Sequence, residues 1–155
     1  MSSAAATSPR RVLCVCSGNT CRSPMLETLL RAALVNVQRS DVEVSSAGTG
    51  AAVGEPASVG AQRAMQRRGL SLEQHQSRPL RTLQLSQFEQ FWCMTPAHAT
   101  VLRHLGIPDA ALHVVNAAGG GVPDPFGGDD DDYEACATVL ELAARDLADL
   151  FSART

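Results

Sequence analysis

Among the 155 residues there is no lysine; all thirteen basic residues are arginine. Schiff-base chemistry, pyridoxal attachment and the lysine of a nucleotide-binding P-loop are therefore excluded together. Aromatic residues make up 4% of the chain, with a single Trp and a single Tyr, so a stacking platform for nucleic acid has little to be built from. Net charge is −3, which removes the basic face a nucleic-acid surface needs; any phosphate must be met by a local cradle. No apolar run is long enough to span a bilayer, and MSSAAATSPRR has no apolar core of signal-peptide length. Residues 1–9 are expected to be a flexible leader and 10–155 a single domain. A cytoplasmic setting is expected, with the five cysteines (14, 16, 21, 93 and 136) held as thiols.

Hydrophobic residues form 45% of the chain and charged residues 19%, a globular balance. RVLCVC at 11–16 is a continuous apolar run, the mark of a strand buried on both faces. Ser23 is placed to cap a helix with Pro24 at its first position, and Leu26, Leu29, Leu30, Ala33, Leu34 and Val37 follow at helical spacing. DVEVSS (41–46), FWCM (91–94) and LHVVN (112–116) read as further strands. Helices are predicted over 57–68, ended by Gly69, over a short stretch at 80–87, and from Thr95–Pro96 to about residue 105. A loop, AAGGGVPDPFGGDDDD, leads to a last helix with an apolar stripe of Cys136, Val139, Leu140, Ala143, Leu147, Leu150 and Phe151. The aspartates at 129–132 suit a helix start. Strands alternating with helices predict an α/β domain: a four-stranded parallel sheet with helices on both faces and a ligand loop after the first strand.

CSGNTCRSP at 16–24 stands where such a sheet binds ligands, at the carboxyl end of a strand and the start of a helix. The helix N-terminus favours a dianion, Gly18 and Asn19 suit a loop that turns its N–H groups inward, and Arg22 adds a two-pronged clamp. The same field should depress the pKa of Cys16 and make it a nucleophile, with the Ser23 hydroxyl beside it. A metal reading fails on spacing: Cys14 is a strand residue, Cys93 and Cys136 stand alone, and there is no H-x3-H. His75, His98, His104 and His113 form no triad and are read as surface or structural residues.

Cys16-Ser17-Gly18-Asn19-Thr20-Cys21-Arg22-Ser23-Pro24 resembles the phosphate loop of the low-molecular-weight protein tyrosine phosphatases; SAGTG at 46–50, GEP at 54–56 and DPFGG at 124–128 extend the resemblance over nearly the whole chain from residue 11. The resemblance implies Cys16 as nucleophile, Arg22 as clamp, Asn19 as brace, Ser23 as thiolate stabiliser and Asp124 as general acid, with residues 17–23 binding phosphate and no metal or other cofactor. Chemistry supports Asp124, since a departing alkoxide or phenoxide needs a proton, and Pro123 and Pro125 stiffen the loop around it. The expected reaction is hydrolysis of phosphotyrosine in a phosphorylated protein through a phosphocysteine, releasing inorganic phosphate, by a monomer that binds neither nucleic acid nor membrane. Thr20, Ala52 and Phe126 are the expected selectors of substrate, and Cys21 a redox partner for Cys16.

Thr20 and the Ala51–Ala52 stretch depart from the tyrosine-directed pattern, which carries an aliphatic residue and an aromatic wall there. Threonine in GNTCRSP and the DPFGG segment resemble bacterial protein-arginine phosphatases, so phosphoarginine is the alternative substrate. Arsenate reduction on this fold needs two further closely spaced cysteines, which Cys93 alone does not supply. A non-catalytic phosphate-binding module would need neither Cys16 nor Asp124.

Overall fold

The computed structural model describes residues 10–152. The leader expected over 1–9 lies outside the described residues. Four strands, β1 (Arg11–Cys16), β2 (Glu43–Gly48), β3 (Gln90–Cys93) and β4 (Leu112–Val114), form one parallel sheet in the order β2-β1-β3-β4. Four helices complete the fold: α1 (Arg22–Asn36), α2 (Val59–Gln66), α3 (Pro96–His104) and α4 (Asp130–Ser152).

β1 lies inside the sheet, and its residues alternate between two cores. Val12, Cys14 and Cys16 face the larger one, filled by α1, α2 and α4; Leu13 and Val15 face the smaller one with Phe91, Ala99 and Leu102 under α3. Both sets are buried, which is why β1 reads as an unbroken apolar run. The chain leaves β1 to make β2 on one side, then returns to make β3 on the other. The strand order reverses at β1, and the crevice beyond its carboxyl end is open to a ligand.

Several boundaries differ from expectation. Cys21, not Ser23, is the N-cap of α1, and Pro24 is its third residue, where an N–H has no intrahelical acceptor to miss. β2 runs two residues later than DVEVSS, and the stretch at 80–87 is two 3₁₀ turns separated by extended Leu83. β4 stops at Val114, although the Val115 N–H still reaches Cys93 O, before left-handed Asn116 turns the chain. In α4, Leu140, Ala144, Leu147, Ala148 and Phe151 take the buried face, and Leu150 is turned outward. The aspartate run does begin α4: Asp129 and Asp132 exchange side-chain bonds with each other's N–H at 3.0 and 3.1 Å, a reciprocal cap. Among the described residues no helix is long and apolar enough to cross a membrane.

Candidate active site

β1 ends at Cys16, and six residues later α1 begins at Arg22. The loop between them is held against the end of β2. Thr49 N–H donates to Cys16 O at 2.9 Å and Gly50 N–H to Ser17 O at 3.0 Å. A Cβ on Gly48 would stand 2.4 Å from Ser17 O, so this approach requires glycine. Within the loop the left-handed residue is Asn19, with φ 56°, and not Gly18. Asn19 pays that strain with its side chain. Its Nδ2 donates to Ser23 Oγ at 2.8 Å and Ser46 Oγ at 3.0 Å, and its Oδ1 accepts from Arg78 N–H at 2.9 Å. Ser46 in turn donates to Glu27 at 2.5 Å. The loop is therefore tied to β2, α1 and the 78 segment through one fully buried amide.

Cys16 is 2% exposed at the base of the loop. Its sulfur lies 2.9 Å from Ser23 Oγ and accepts from Asn19 N–H at 3.3 Å. Ser23 does not cap the helix because its hydroxyl is committed to the sulfur and to Asn19. Burial pushes the Cys16 thiol up; the Ser23 hydroxyl, Arg22 and the Asn19 N–H pull it down. The expected depression is overturned because desolvation of a nearly inaccessible sulfur outweighs the three favourable partners.

Arg22 is 4% exposed and reaches from α1 to the loop before α4. Its Nη1 donates to Val122 O at 3.0 Å, and its Nη2 lies 3.6 Å from Asp124 Oδ2. Val122 N–H donates to Met94 O at 2.7 Å, which fixes the root of that loop to the end of β3. Asp124 Oδ1 accepts from Phe126 N–H at 3.1 Å, a local turn that sets the carboxyl at the mouth. The result is a hollow of about 280 Å³ walled by Cys16, Gly18, Asn19, Thr20, Cys21, Arg22, Ala52, Glu55, Asp124 and Phe126. Phe126 is 70% exposed on its rim. Of the residues expected to act on phosphate or select the substrate, Ser17 and Ser23 alone stand outside this wall, Ser23 against the sulfur and Ser17 turned to α3.

Two histidines meet the loop from outside it. His75 Nε2 lies 2.7 Å from Asn19 O. His98, 5% exposed, places Nε2 at 2.9 Å from Ser17 Oγ, while its Nδ1 accepts from Thr95 N–H at 3.2 Å. An N–H can only donate, so Nδ1 is unprotonated and Nε2–H donates to Ser17. His98 is pushed down to about 4, by burial first and by Arg22 second, against Asp124. Thr95 and Pro96 were visible in the sequence as a helix start; the pairing of His98 with Thr95 and its reach to Ser17, 81 residues away, were not. Glu55 went unremarked as a wall residue because nothing local marks it.

Cys21 is also buried, its sulfur 3.2 Å from Ser58 Oγ and 3.4 Å from Tyr133 OH. All five cysteines are free thiols. Among the described residues no three His, Cys, Asp or Glu side chains are grouped to share a metal ion.

Residues 11–154 match the sequence profile described as low molecular weight phosphotyrosine protein phosphatase. The chain is 35% identical to a protein-arginine-phosphatase of Geobacillus stearothermophilus over 147 residues, covering 91% of this chain and 95% of that one. It is 31% identical to the low molecular weight protein-tyrosine-phosphatase Wzb of Salmonella typhi, covering 92% and 95%. Its structure superposes on the low molecular weight protein tyrosine phosphatase of T. tengcongensis with a TM-score of 0.84 at 30% identity, covering 90% and 98%.

Proposed function

The chain belongs to the low molecular weight phosphotyrosine protein phosphatase family and is a protein phosphatase; we propose that it cleaves phosphotyrosine through a phosphocysteine on Cys16, with Asp124 as the proton donor. The observation that carries this reading is the arrangement of one pocket: a buried sulfur bonded to Ser23 and the Asn19 N–H, with Arg22 and Asp124 3.6 Å apart on the wall above it.

The phosphoryl group enters against the N–H groups of residues 17–22 and the guanidinium of Arg22, where its negative charge is met by the α1 terminus. Burial opposes the Cys16 thiolate, so the thiol proton passes to the incoming dianion, and the sulfur, steadied by Ser23, attacks phosphorus. The S–P bond forms as the P–O bond to the tyrosine breaks, and Asp124 protonates the departing oxygen. Asp124, now a carboxylate, takes a proton from water; the water oxygen bonds phosphorus, the S–P bond breaks, the sulfur takes back from the phosphate the proton it gave up, and inorganic phosphate leaves. Cys21 in the same loop is the thiol that would trap a sulfenic acid on Cys16 as a disulfide, with loss of water. Phosphorylated proteins are the substrates. A cytoplasmic monomer that engages neither nucleic acid nor membrane completes the proposal, as does a single domain over 10–155.

The test is turnover of p-nitrophenyl phosphate together with rapid-quench trapping of the enzyme-bound phosphoryl group. Wild type should release p-nitrophenol and yield a trapped phosphocysteine; Cys16→Ser should do neither while still binding phosphate. Nitrophenol release by Cys16→Ser at the wild-type rate refutes the mechanism.

A second reading, phosphoarginine as substrate, is favoured by Thr20 on the pocket wall and by Ala52 where an aromatic ring would stack. The match to a protein-arginine-phosphatase supports it. Thr20→Ile, assayed on both substrates, should lower kcat/KM for phosphoarginine relative to phosphotyrosine by about 10-fold, the scale of single-pocket discrimination. An unchanged ratio leaves phosphotyrosine as the assignment.

A further inference from the structure

Glu55 stands in the wall of the pocket that holds Cys16, Arg22 and Asp124. Its backbone is clamped from both sides by Ser77, which is 2% exposed. Glu55 N–H donates to Ser77 Oγ at 2.9 Å, Ser77 N–H to Glu55 O at 2.8 Å, and Gly54 N–H to Ser77 O at 2.8 Å. Ser77 Oγ donates onward to Ala52 O at 2.8 Å. Four hydrogen bonds thus fix the rim from 52 to 55, and left-handed Gly54, with φ 80°, turns the chain there. The rim segment is built, yet its one charged side chain is exposed and makes no hydrogen bond or ion pair among the described residues.

That placement opposes simple anion binding. A pocket for a phosphoryl dianion gains from cations, and this wall has one, Arg22, already engaged with Val122 O and near Asp124. An unpaired carboxylate on the same wall repels a bare phosphate ester and attracts a substrate that carries positive charge close to phosphorus. Asp124 does not meet that need, because it must carry a proton when the leaving group departs. Resting on the phosphatase reading above, we propose that Glu55 selects substrates with a guanidinium or ammonium group adjacent to the phosphoryl group, and disfavours those with acidic neighbours. The cation is either the guanidinium of a phosphoarginine itself or an arginine or lysine flanking a phosphotyrosine. Both present the same chemistry to the same carboxylate.

The experiment measures phosphate release from phosphotyrosyl peptides with Arg, Gln or Glu beside the phosphorylated residue, and from a phosphoarginyl peptide of the Gln sequence. Wild type, Glu55→Gln and Glu55→Arg are compared. Wild type should favour Arg over Gln and Gln over Glu, or phosphoarginine over phosphotyrosine, and added salt should erode the preference. Glu55→Gln should shrink that kcat/KM ratio by about fivefold, the upper end for an exposed charge pair, and Glu55→Arg should invert it. A shrinking Arg:Gln ratio assigns the cation to the neighbouring residue; a shrinking phosphoarginine:phosphotyrosine ratio assigns it to the phosphorylated side chain. Wild type that turns over these peptides with both ratios untouched in both variants overturns the role of Glu55 alone. Wild type inert on every peptide and on p-nitrophenyl phosphate overturns the phosphatase reading instead.

Discussion

Acidification should weaken the fold through His98, and His98→Gln should remove that sensitivity. The buried ring is neutral, with Nδ1 accepting from Thr95 N–H and Nε2–H donating to Ser17. Protonating Nδ1 sets two donors against each other at the start of α3 and adds a charge near Arg22. Its pKa accordingly falls from an ordinary 6.5 to about 4, with burial the main cause. The unfolded chain takes up this proton at higher pH than the folded one. The stabilisation is therefore complete above about pH 6.5 and is lost as pH falls toward 4. The whole effect is about 3 kcal/mol, a large part of the 5–15 kcal/mol typical of a domain. Gln at the third position of a helix preserves a capping pair with Thr95 and carries no titratable group. Urea unfolding followed by Trp92 fluorescence at pH 7.5, 6.5, 5.5 and 4.5 supplies the comparison. Carboxylates titrate in the same range in both proteins and cancel in the difference. Wild type should lose about 2.5 kcal/mol more than His98→Gln over this span, the remainder of the effect lying below pH 4.5. Parallel stability curves would show that protonation at His98 costs nothing and refute the tautomer argument.

Two predictions concern the chemistry. Ser23→Ala removes one of the partners that lower the Cys16 thiol, so the midpoint for alkylation by iodoacetamide should move to higher pH; an unmoved midpoint denies Ser23 that role. Asp124→Ala should slow hydrolysis of alkyl and unactivated aryl phosphates by roughly 10²-fold or more and of p-nitrophenyl phosphate by less, since nitrophenolate leaves without a proton. Equal losses across leaving groups would make Asp124 a structural partner of Arg22 only.

What the sequence determined by itself was whatever depends on near neighbours along the chain. An unbroken apolar run made β1 a doubly buried strand, and alternating elements made the sheet parallel. CSGNTCRSP carried the loop because seven consecutive residues must together wrap one anion, and asparagine at 19 was legible as the residue tolerant of a left-handed turn. Asp124 was singled out by the resemblance of DPFGG, with Pro123 and Pro125 supporting it as residues that stiffen its loop. Tertiary structure alone decided how those parts are braced and charged. His98 meets Ser17 across 81 residues, Tyr133 meets Cys21 across 112, and Ser77 pins Glu55 to the rim across 22. Ser23 looked like a cap because serine before proline usually is one; the hydroxyl went to the sulfur because the fold buried that sulfur beside it. The thiol followed the same rule. A helix terminus and an arginine argue for a low pKa in any sequence, but the degree of burial that outweighs them is set by distant elements packed into the larger core around Cys16. Local spacing encodes which groups share a turn, whereas desolvation and long-range hydrogen bonds exist only once distant segments have displaced water from between them.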